Sequence, residues 1–362
     1  RGGFGLTSHF DHFQTNWERQ IDTRLKVETV ALFGPTQAGF NAGTLAHFDI
    51  GLTPFVVRNE WTWNPNDHVR VIGGTDIQLA WFDVTYRGPA IGQSEGNTQS
   101  NAQDRVSTHE SGFGARPGAY VESSYTRGRG VVTGALRFDY YSEIRGWSLD
   151  PRLITTYRVH PEVTLRAAVG LYSQPPEFQE SSRNIGNPNL DPLHSAHFGT
   201  GVAWNPSPGI SLSVDGFYKQ LWNRVVTTDR TDAPPYENGG IGRIYGLEIA
   251  GRVQPATDRP YFGYVSYTLM RSERRDHGGD PFRLFDFDQT HIFTGSFSYT
   301  WQRHHWSLGG TLRLVSGNPY TPVETALLDP QTRNSLPFTG VPNSARNPLF
   351  NRLDVRVEKQ WW

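Results

Sequence analysis

RLDVRVE, residues 352–358, alternates strictly between charged and apolar side chains. Leu353, Val355 and Val357 fall on one face of an extended strand, and the charged residues fall on the other. A period of two residues is typical of a β-strand whose two faces meet different surroundings. This segment therefore predicts a strand with one apolar face and one polar face.

The same alternation recurs along almost the whole chain of 362 residues. About 15 segments carry it, and most of them reach about ten residues, whereas strands of soluble proteins cluster near five or six. Alternation over this length is what a tilted transmembrane β-strand requires. The fold predicted is therefore all-β, an antiparallel transmembrane β-barrel. The segments are 5–17, 22–34, 48–62, 67–86, 116–126, 130–142, 147–158, 162–173, 193–204, 210–226, 241–253, 260–274, 287–301, 305–317 and 348–361.

The composition excludes several other classes of protein. A net charge of −1 gives no electrostatic footprint for nucleic acid. The absence of cysteine removes disulfide frameworks, thiolate metal sites and thiol catalysis. No apolar run approaches the ~20 residues that a membrane helix needs. Because the chain opens on Arg1 rather than Met and shows no signal peptide, we expect a processed or excised piece.

The connections between the segments also alternate, in this case by length. Short ones fall near 18–21, 64–66, 127–129, 159–161, 205–209, 254–259 and 302–304; long polar ones fall near 35–47, 87–115, 174–192, 227–240, 275–286 and 318–347. Only 143–146 is short where a long connection is due. Tight turns at one rim and long loops at the other are typical of outer-membrane barrels, with the short turns periplasmic and the long loops extracellular.

Tryptophan placement supports the same orientation. Eight of the 11 Trp residues lie beside a short connection or at the chain end, where an interfacial aromatic belt is expected. They are Trp17, Trp61, Trp63, Trp204, Trp301, Trp306, Trp361 and Trp362.

The charged faces of the strands must point away from lipid. An Arg or Lys facing lipid at mid-depth costs roughly 2–4 kcal/mol, so we expect these faces to line a lumen. An odd number of antiparallel strands cannot close a barrel, and open edges in lipid would leave backbone groups unsatisfied. We therefore expect residues 1–362 to form one partial barrel domain, with strands of a longer barrel missing.

Four short segments carry a family resemblance. They are YSQPP at 172–176, GNPNLDP at 186–192, YGLE at 245–248 and SGNPYTP at 316–322. In this order and within a ladder of strands, they resemble the strand starts and strand exits of TonB-dependent outer-membrane receptors. Leu193 departs from the family pattern, which usually has Glu at that rim position.

The resemblance implies a receptor that actively imports a scarce ligand, most often a metal chelate such as a ferric siderophore. The family barrel has about 22 strands around an N-terminal plug, so this chain would supply about 15 of them and lacks the plug. Energy would come from the TonB–ExbB–ExbD complex through a segment that is absent here. The location would be the outer membrane of a Gram-negative cell, among lipid and lipopolysaccharide, with no enzymatic activity, no cofactor and no nucleic-acid partner.

Candidate ligand-binding residues lie on the long loops and at their rims. The forks of Arg271, Arg274 and Arg275 suit carboxylate, phosphate or catecholate oxygens. A solvated rim or a contact with anionic lipopolysaccharide is the alternative for these arginines. The remaining candidates are Tyr236, Asn238, Asp286, Asp288 and Tyr320.

Other chemical motifs are weaker. Residues 92–96 (GQSEG) match a nucleophile elbow but have no helix behind them. Asp286 and Asp288 lack the glycine and distal glutamate of a calcium loop. His304 and His305 would point to opposite faces of a strand. We therefore assign no catalytic residue and no metal ligand.

Two other functions remain open at this point. A passive porin would share the barrel but would conduct without energy. A soluble β-rich surface-binding protein would need its apolar strand faces to pack against each other.

Overall fold

The structure, a computed structural model, describes residues 3–89, 105–228, 232–256, 259–328 and 335–361. Strands make up almost all of it. The first eleven are β1 (Phe4–Phe10), β2 (Phe13–Gln20), β3 (Leu25–Phe33), β4 (Thr36–Ala42), β5 (His47–Asn66), β6 (Val69–Pro89), β7 (Arg105–Arg127), β8 (Gly130–Tyr141), β9 (Gly146–His160), β10 (Val163–Gln174) and β11 (Leu193–Ser207). The others are β12 (Ile210–Thr227), β13 (Tyr236–Val253), β14 (Tyr261–Arg275), β15 (Arg283–Leu284), β16 (His291–Trp301), β17 (Trp306–Val315), β18 (Pro319–Tyr320), β19 (Val323–Leu328), β20 (Ser335–Thr339), β21 (Ala345–Arg346) and β22 (Phe350–Lys359). A helical turn, α1 (Phe178–Ser181), and a 3₁₀ turn, Gln302–His304, complete the elements.

Among the described residues, the strands form one sheet of 18 strands and two sheets of two strands each. Strand pairs such as β5–β6, β6–β7, β14–β16 and β17–β22 are antiparallel. The register is continuous in the last three pairs and shifts between Trp63 and Asn66 in β5–β6. The predicted all-β, antiparallel class is therefore confirmed. Two compact units are present, one of residues 1–154, 170–196 and 221–240, and one of residues 155–169, 197–220 and 241–362.

Some strand boundaries differ from the prediction. The segment 5–17 is two strands, because β1 pairs with β4 whereas β2 pairs with β3. Strand β4 itself lies inside the predicted loop 35–47, where glycine and asparagine obscure the alternation. The predicted loop 87–115 is shorter than expected, since its described flanks pair as continuations of β6 and β7.

The register gives each pair of strands an apolar face and a polar face. In β13 and β14, Leu247 lies opposite Leu269 and Gly251 lies opposite Val265. Leu247, Leu269 and Val265 are exposed. A soluble sandwich would bury such side chains, so the fold does not support the soluble alternative.

Short connections use residues that suit tight turns. Between β5 and β6, the Asn66 side-chain oxygen accepts hydrogen bonds from the backbone N–H groups of His68 and Val69, at 2.9 and 3.0 Å. The turns that follow β7 and β11 contain Gly128 and Gly209, whose φ angles are 58° and 78°. Glycine adopts this left-handed region at no steric cost, because it has no Cβ. The short connections therefore lie where the sequence predicts them.

The closely packed apolar cluster is small. Tyr141, Ile144, Leu190, Leu193, Val225 and Tyr236 form it. It lies within the first compact unit and holds the loop that precedes β11. In the described ranges, no helix is long and apolar enough to cross a membrane.

Candidate functional site

A cavity with both polar and apolar lining lies beside the loop ends of β16, β17 and β22. Its volume is about 430 Å³, within the range of small-ligand sites. The polar side chains that line it include Gln289, Arg313, Asn318 and Asn347. Strand alternation positions Arg313: its neighbour Leu312 is exposed on the apolar face, so Arg313 projects from the polar face.

Arg313 is the one cationic side chain among the described residues that line this cavity. Within the part of the chain that the structure describes, no carboxylate is within ion-pair distance of its guanidinium. Its cross-strand partner Arg352 donates to Asp354 over 3.0 Å. The cavity therefore presents positive charge beside amide groups, an arrangement suited to an oxygen-rich anion.

The wall of the cavity is fixed by contacts between two loops. Asn347 donates to the Asn318 carbonyl from both its backbone N–H (3.0 Å) and its side-chain amide (3.1 Å). Gln289 donates to the Asn318 side-chain oxygen over 3.3 Å. At Gly317, an added Cβ would collide with the Asn347 and Pro348 backbone. Glycine is thus required for the close approach of these loops.

A buried ion pair supports the same loops. Asp288 is fully buried and accepts a hydrogen bond from Arg346. It also accepts from the Ser272 N–H at 2.7 Å and from the Thr290 hydroxyl at 2.8 Å. Arg346 in turn donates to the Gly317 carbonyl over 3.1 Å. The carboxylate therefore joins β14, the start of β16 and β21, and it lies below the accessible surface.

Asp286, predicted beside Asp288 as a ligand contact, lies in the same loop. It accepts a hydrogen bond from the Asn343 side chain and a longer one from Arg283, at 3.4 Å. Asn343 also donates to the Leu284 carbonyl over 2.7 Å. Both predicted aspartates thus hold loops together in this structure.

The three predicted arginines do not form one group. Arg274 is buried, and its guanidinium carbon lies 4.4 Å from the centre of the Phe285 ring. Arg271 and Arg275 lie on the opposite face of β14, because they alternate with Arg274 along the strand. That face is the apolar one, which carries Leu269.

Tyr236 and Asn238 hold the GNPNLDP segment, residues 186–192. The Asn238 side chain accepts from the Asp191 N–H (2.7 Å) and donates to the carbonyls of Asp191 (3.1 Å) and Asn223 (2.9 Å). The Tyr236 carbonyl accepts from the Asn187 side chain over 2.8 Å. The Tyr236 ring is buried in the apolar cluster. This segment, quoted above for its family resemblance, is therefore a fixed loop.

Tyr320, like Arg271, is an exposed member of the predicted set. It lies in β18, which pairs with β21. The residue opposite Tyr320 directly precedes Arg346, which belongs to the buried ion pair. Residues 92–96 lie outside the described residues. His304 and His305 occupy a turn, and His305 has a φ of 56°. Among the described residues, no group of three or more His, Asp or Glu side chains could hold a metal ion.

Two further polar arrangements belong to the first compact unit. On the polar face, Arg58 donates to Asp76 over 2.8 Å, and Arg137 binds both oxygens of Asp139 at 2.7 Å. Within each of these ion pairs the two charges neutralise each other. In β5, β6 and β8 these charged side chains share one face, as predicted. Arg313, in contrast, has no carboxylate partner among the described residues.

Ser173 lies between Asp150 and His194. Its hydroxyl donates to Asp150 over 2.7 Å and is 2.8 Å from His194 Nδ1. In a catalytic triad the imidazole lies between the serine and the carboxylate, whereas here the serine lies between the other two. The arrangement joins β9, β10 and β11.

A larger cavity, of about 570 Å³, lies at the short-turn ends of the strands. Glu162, Asn205, Ser207 and Gln254 are among its lining residues, which include no cation. We favour the smaller cavity because its charge and amides converge on one space. Sequence reasoning missed Arg313 and Asn347. It considered Gln289 only as a calcium-type oxygen ligand, and Asn318 only as part of SGNPYTP at 316–322, the strand exit that forms one wall.

Comparisons with known proteins fit this fold. The whole chain, residues 1–362, matches the family model for TonB dependent receptor-like β-barrels. The FrpB iron transporter from Neisseria meningitidis is similar in structure, with a TM-score of 0.66, 13% identity and coverage of 96% of this chain and 56% of that chain. The ferric citrate transporter FecA in its unliganded form has a TM-score of 0.69 and 13% identity, covering 97% of this chain and 54% of that chain.

The copper transporter OprC is similar too, with a TM-score of 0.67, 12% identity and coverage of 96% of this chain and 56% of that chain. At these identities the likeness shows the fold alone. The chain spans little more than half the length of these three structures. No curated protein sequence matches it.

Proposed function

Because the chain belongs to the family of TonB-dependent receptor-like β-barrels, we propose that it is part of an outer-membrane receptor that imports an anionic small ligand. Members of this family are transporters rather than enzymes. The preferred ligand class in this proposal is a metal chelate, such as a ferric siderophore. Energy from the TonB–ExbB–ExbD complex would drive the import.

The cavity around Arg313 is the observation that supports an anionic metal chelate as the ligand. Its guanidinium and the surrounding amides offer donors to carboxylate, catecholate or hydroxamate oxygens. Metal chelates of these types carry negative charge on an oxygen-rich surface. The position beside the long loops suits capture from outside the cell, because long loops on a rigid scaffold commonly bind ligands.

The similar solved structures support metal chelates as the ligand class. They do not identify which chelate the receptor binds. FrpB is an iron transporter, FecA a ferric citrate transporter and OprC a copper transporter. In our proposal residues 1–362 supply part of the barrel, and the plug and the TonB-contacting segment belong to the rest of the receptor. The candidates Arg271, Arg274, Arg275, Tyr236, Asn238, Asp286, Asp288 and Tyr320 stay predictions for ligand contact, with Tyr320 the best exposed of those near the cavity loops.

Uptake of radioactive iron tests the proposal. The full-length receptor is expressed in a Gram-negative host that lacks its own ferric-chelate receptors, with and without functional TonB. We expect uptake of at least one ferric carboxylate, catecholate or hydroxamate chelate that requires TonB, and a loss of about tenfold or more in affinity for Arg313→Gln. Arg356→Gln is the matched control, since Arg356 lies on the polar face near the other end of β22 and binds Glu358 at 2.7 Å.

The passive porin is the second candidate. Planar-bilayer recording of the full-length protein separates the two functions. Large, steady conductance together with uptake that does not need TonB would reject our proposal and favour the porin.

A further inference from the structure

A further pocket lies on the polar face of β5, β7, β8 and β9, within the first compact unit. Its volume is about 280 Å³, close to the lower limit of small-ligand sites, so it suits a compact ligand. What it can bind depends on which of its charges already have partners. The charged side chains of the described residues that line it are Arg58, Glu60, Glu122, Arg137, Asp150 and Arg152.

Two of the three cations have carboxylate partners in the wall. Arg58 donates to the buried Asp76 over 2.8 Å. Arg137 holds both oxygens of Asp139, at 2.7 Å each, and lies 3.7 Å from Asp76. The charges of Arg58 and Arg137 are therefore neutralised by groups of the barrel wall itself.

Two of the three carboxylates accept hydrogen bonds from neutral groups. The Tyr120 hydroxyl donates to Glu60 over 2.7 Å. It reaches across Gly74, where an added Cβ would lie 2.7 Å from the hydroxyl oxygen. The buried Asp150 accepts from the Ser173 backbone N–H at 3.1 Å and from its hydroxyl at 2.7 Å. Glu60 and Asp150 are thus held in place, although they keep their negative charge.

Arg152 is the third cation, and no carboxylate of the described residues lies within ion-pair distance of it. Its Nε is buried with no hydrogen-bond partner among them. Its guanidinium carbon lies 4.3 Å from the centre of the Tyr172 ring. Gly170 leaves room for the side chain, since an added Cβ there would lie 3.0 Å from Arg152 Cγ. The guanidinium is therefore positioned on a ring and has no counter-charge.

Glu122 is the third carboxylate, and within the described part of the chain it has no ion-pair or hydrogen-bond partner. It is half-buried and lies on β7 opposite Ala135 of β8. Ala135 also lines the pocket, and its methyl group is too short to fill the space beside the carboxylate. Glu122 and Arg152 thus share one pocket without forming an ion pair with each other.

A ligand with a single charge would satisfy one of these two groups. An anion would meet Arg152 but would be repelled by the carboxylates of Glu60, Glu122 and Asp150. A cation would meet Glu122 but would leave Arg152 unpaired, and an unpaired charge away from bulk water is costly. An ammonium group has three donors for a carboxylate, and a guanidinium matches a carboxylate with two parallel hydrogen bonds. A ligand with both charges close together satisfies both groups.

We propose that this pocket binds the amino-acid head group of a small zwitterion, with the ammonium on Glu122 and the carboxylate on Arg152. A free amino acid and an amino-acid group carried by a larger ligand share this chemistry. The inference goes beyond the proposed function, because the pocket has no lining residue in common with the Arg313 cavity. It shares with the import proposal the position of the polar face in a lumen.

Equilibrium dialysis of the full-length receptor in detergent against radioactive L-alanine tests the inference. The competing probes are L-alaninamide, which lacks the carboxylate, and N-acetyl-L-alanine, which lacks the ammonium. We expect each of them to compete at least about tenfold less well than unlabelled L-alanine, because each loses hydrogen bonds to a charged group.

A fourth probe, Nε-dansyl-L-lysine, distinguishes the two sources of the head group. Competition by this probe would show that the pocket accepts a head group carried by a larger ligand. If only free amino acids compete, the pocket takes them alone. Either result supports the inference.

Two variants test the two contacts separately. Arg152→Gln should abolish the preference for L-alanine over L-alaninamide, whereas Glu122→Gln should abolish the preference over N-acetyl-L-alanine. A general loss of structure would not remove one preference and keep the other. Arg352→Gln is the control, because it removes an arginine from an exposed ion pair on β22, and it should bind all probes like the unchanged receptor. If one variant fails to fold, as judged by its gel mobility before and after heating, the other variant provides the test.

Three outcomes would overturn the inference: no binding of L-alanine at millimolar concentration, competition by either blocked analogue as strong as that of L-alanine, or unchanged preferences in both variants. Stronger competition by L-alaninamide would indicate a site for cations instead. The import proposal fails separately, if the receptor shows no TonB-dependent uptake of ferric chelates or if Arg313→Gln leaves that uptake unchanged.

Discussion

Arg346 Nη2 lies 2.5 Å from Asp288 Oδ1, although 58 residues separate the two in the chain. The Asp288 side chain is completely buried, while that of Arg346 is 31% exposed. Arg346 also donates to the backbone carbonyls of Asp288 and Gly317. The pair thus holds the loop before β16 against the loop that lines the Arg313 cavity.

Arg346→Ala should destabilise this loop region strongly. Removing one partner of a buried pair leaves an uncompensated charge and costs about 3–5 kcal/mol. We expect faster cleavage of the loops by added protease in intact outer membranes, and a lower unfolding midpoint in denaturant. Arg352→Ala is the control: it breaks an exposed pair with Asp354 and should cost no more than about 1 kcal/mol. Equal effects of the two variants would show that Asp288 does not brace the loops.

Val169→Arg should impair assembly, because Val169 lies on the exposed apolar face of β10. A lipid-facing arginine at mid-depth costs about 2–4 kcal/mol. We expect a smaller folded fraction in outer membranes, measured by gel mobility before and after heating, and the same result for Leu171→Arg.

Thr164→Arg provides the matched comparison for Val169. Thr164 alternates with Val163 and Leu165, so it lies on the polar face next to Arg166. That variant should assemble normally. If both variants assemble equally well, or fail equally, the assignment of the two faces is wrong.

Gly317→Ala should disturb the ligand cavity. An added Cβ would meet the Asn347 and Pro348 backbone, which cannot yield as a flexible side chain can. We expect weaker ligand uptake together with faster loop proteolysis. Gly216→Ala, on β12, adds a methyl group where nothing lies within 4 Å, and it should leave both measurements unchanged. Normal ligand uptake by the Gly317 variant would show that the cavity is not required for the proposed function.

Asn238→Ala should release the GNPNLDP loop. The side chain makes three hydrogen bonds, to Asp191 and Asn223, and a hydrogen bond typically contributes about 0.5–1.5 kcal/mol to stability. Hydrogen exchange at the backbone N–H of Asp191 should become faster. Asn189→Ala alters an exposed side chain in the same loop and should not change that rate. Unchanged exchange in the Asn238 variant would mean that the apolar cluster alone holds the loop.

The strand ladder could be predicted because it depends on local chemistry. Alternation in 162–173, 210–226 and 348–361 placed β10, β12 and β22 to within a few residues. The prediction failed for β4, whose sequence does not alternate clearly and whose existence depends on its neighbours β1 and β5.

The functional candidates were harder to predict. The sequence indicates Asp286 and Asp288 as oxygen donors for a ligand, yet in the structure they bind Asn343 and Arg346, which follow more than fifty residues later. In the sequence, Arg313 resembles every other arginine on the polar face of a strand. Only the structure shows that it lacks a carboxylate partner among the described residues. A single sequence does not indicate which loops contact each other in the folded protein.

By itself, the sequence determined the all-β class, the two faces of each strand and the ends at which short turns and long loops lie, because side-chain direction in a strand depends only on the parity of neighbouring residues. Tertiary structure alone decided which charges meet. It buried Asp288 against Arg346, left Arg313 without a counter-charge in the described region and placed Glu122 and Arg152 in one pocket. Those outcomes depend on strand register and loop packing, which bring together groups that are distant along the chain.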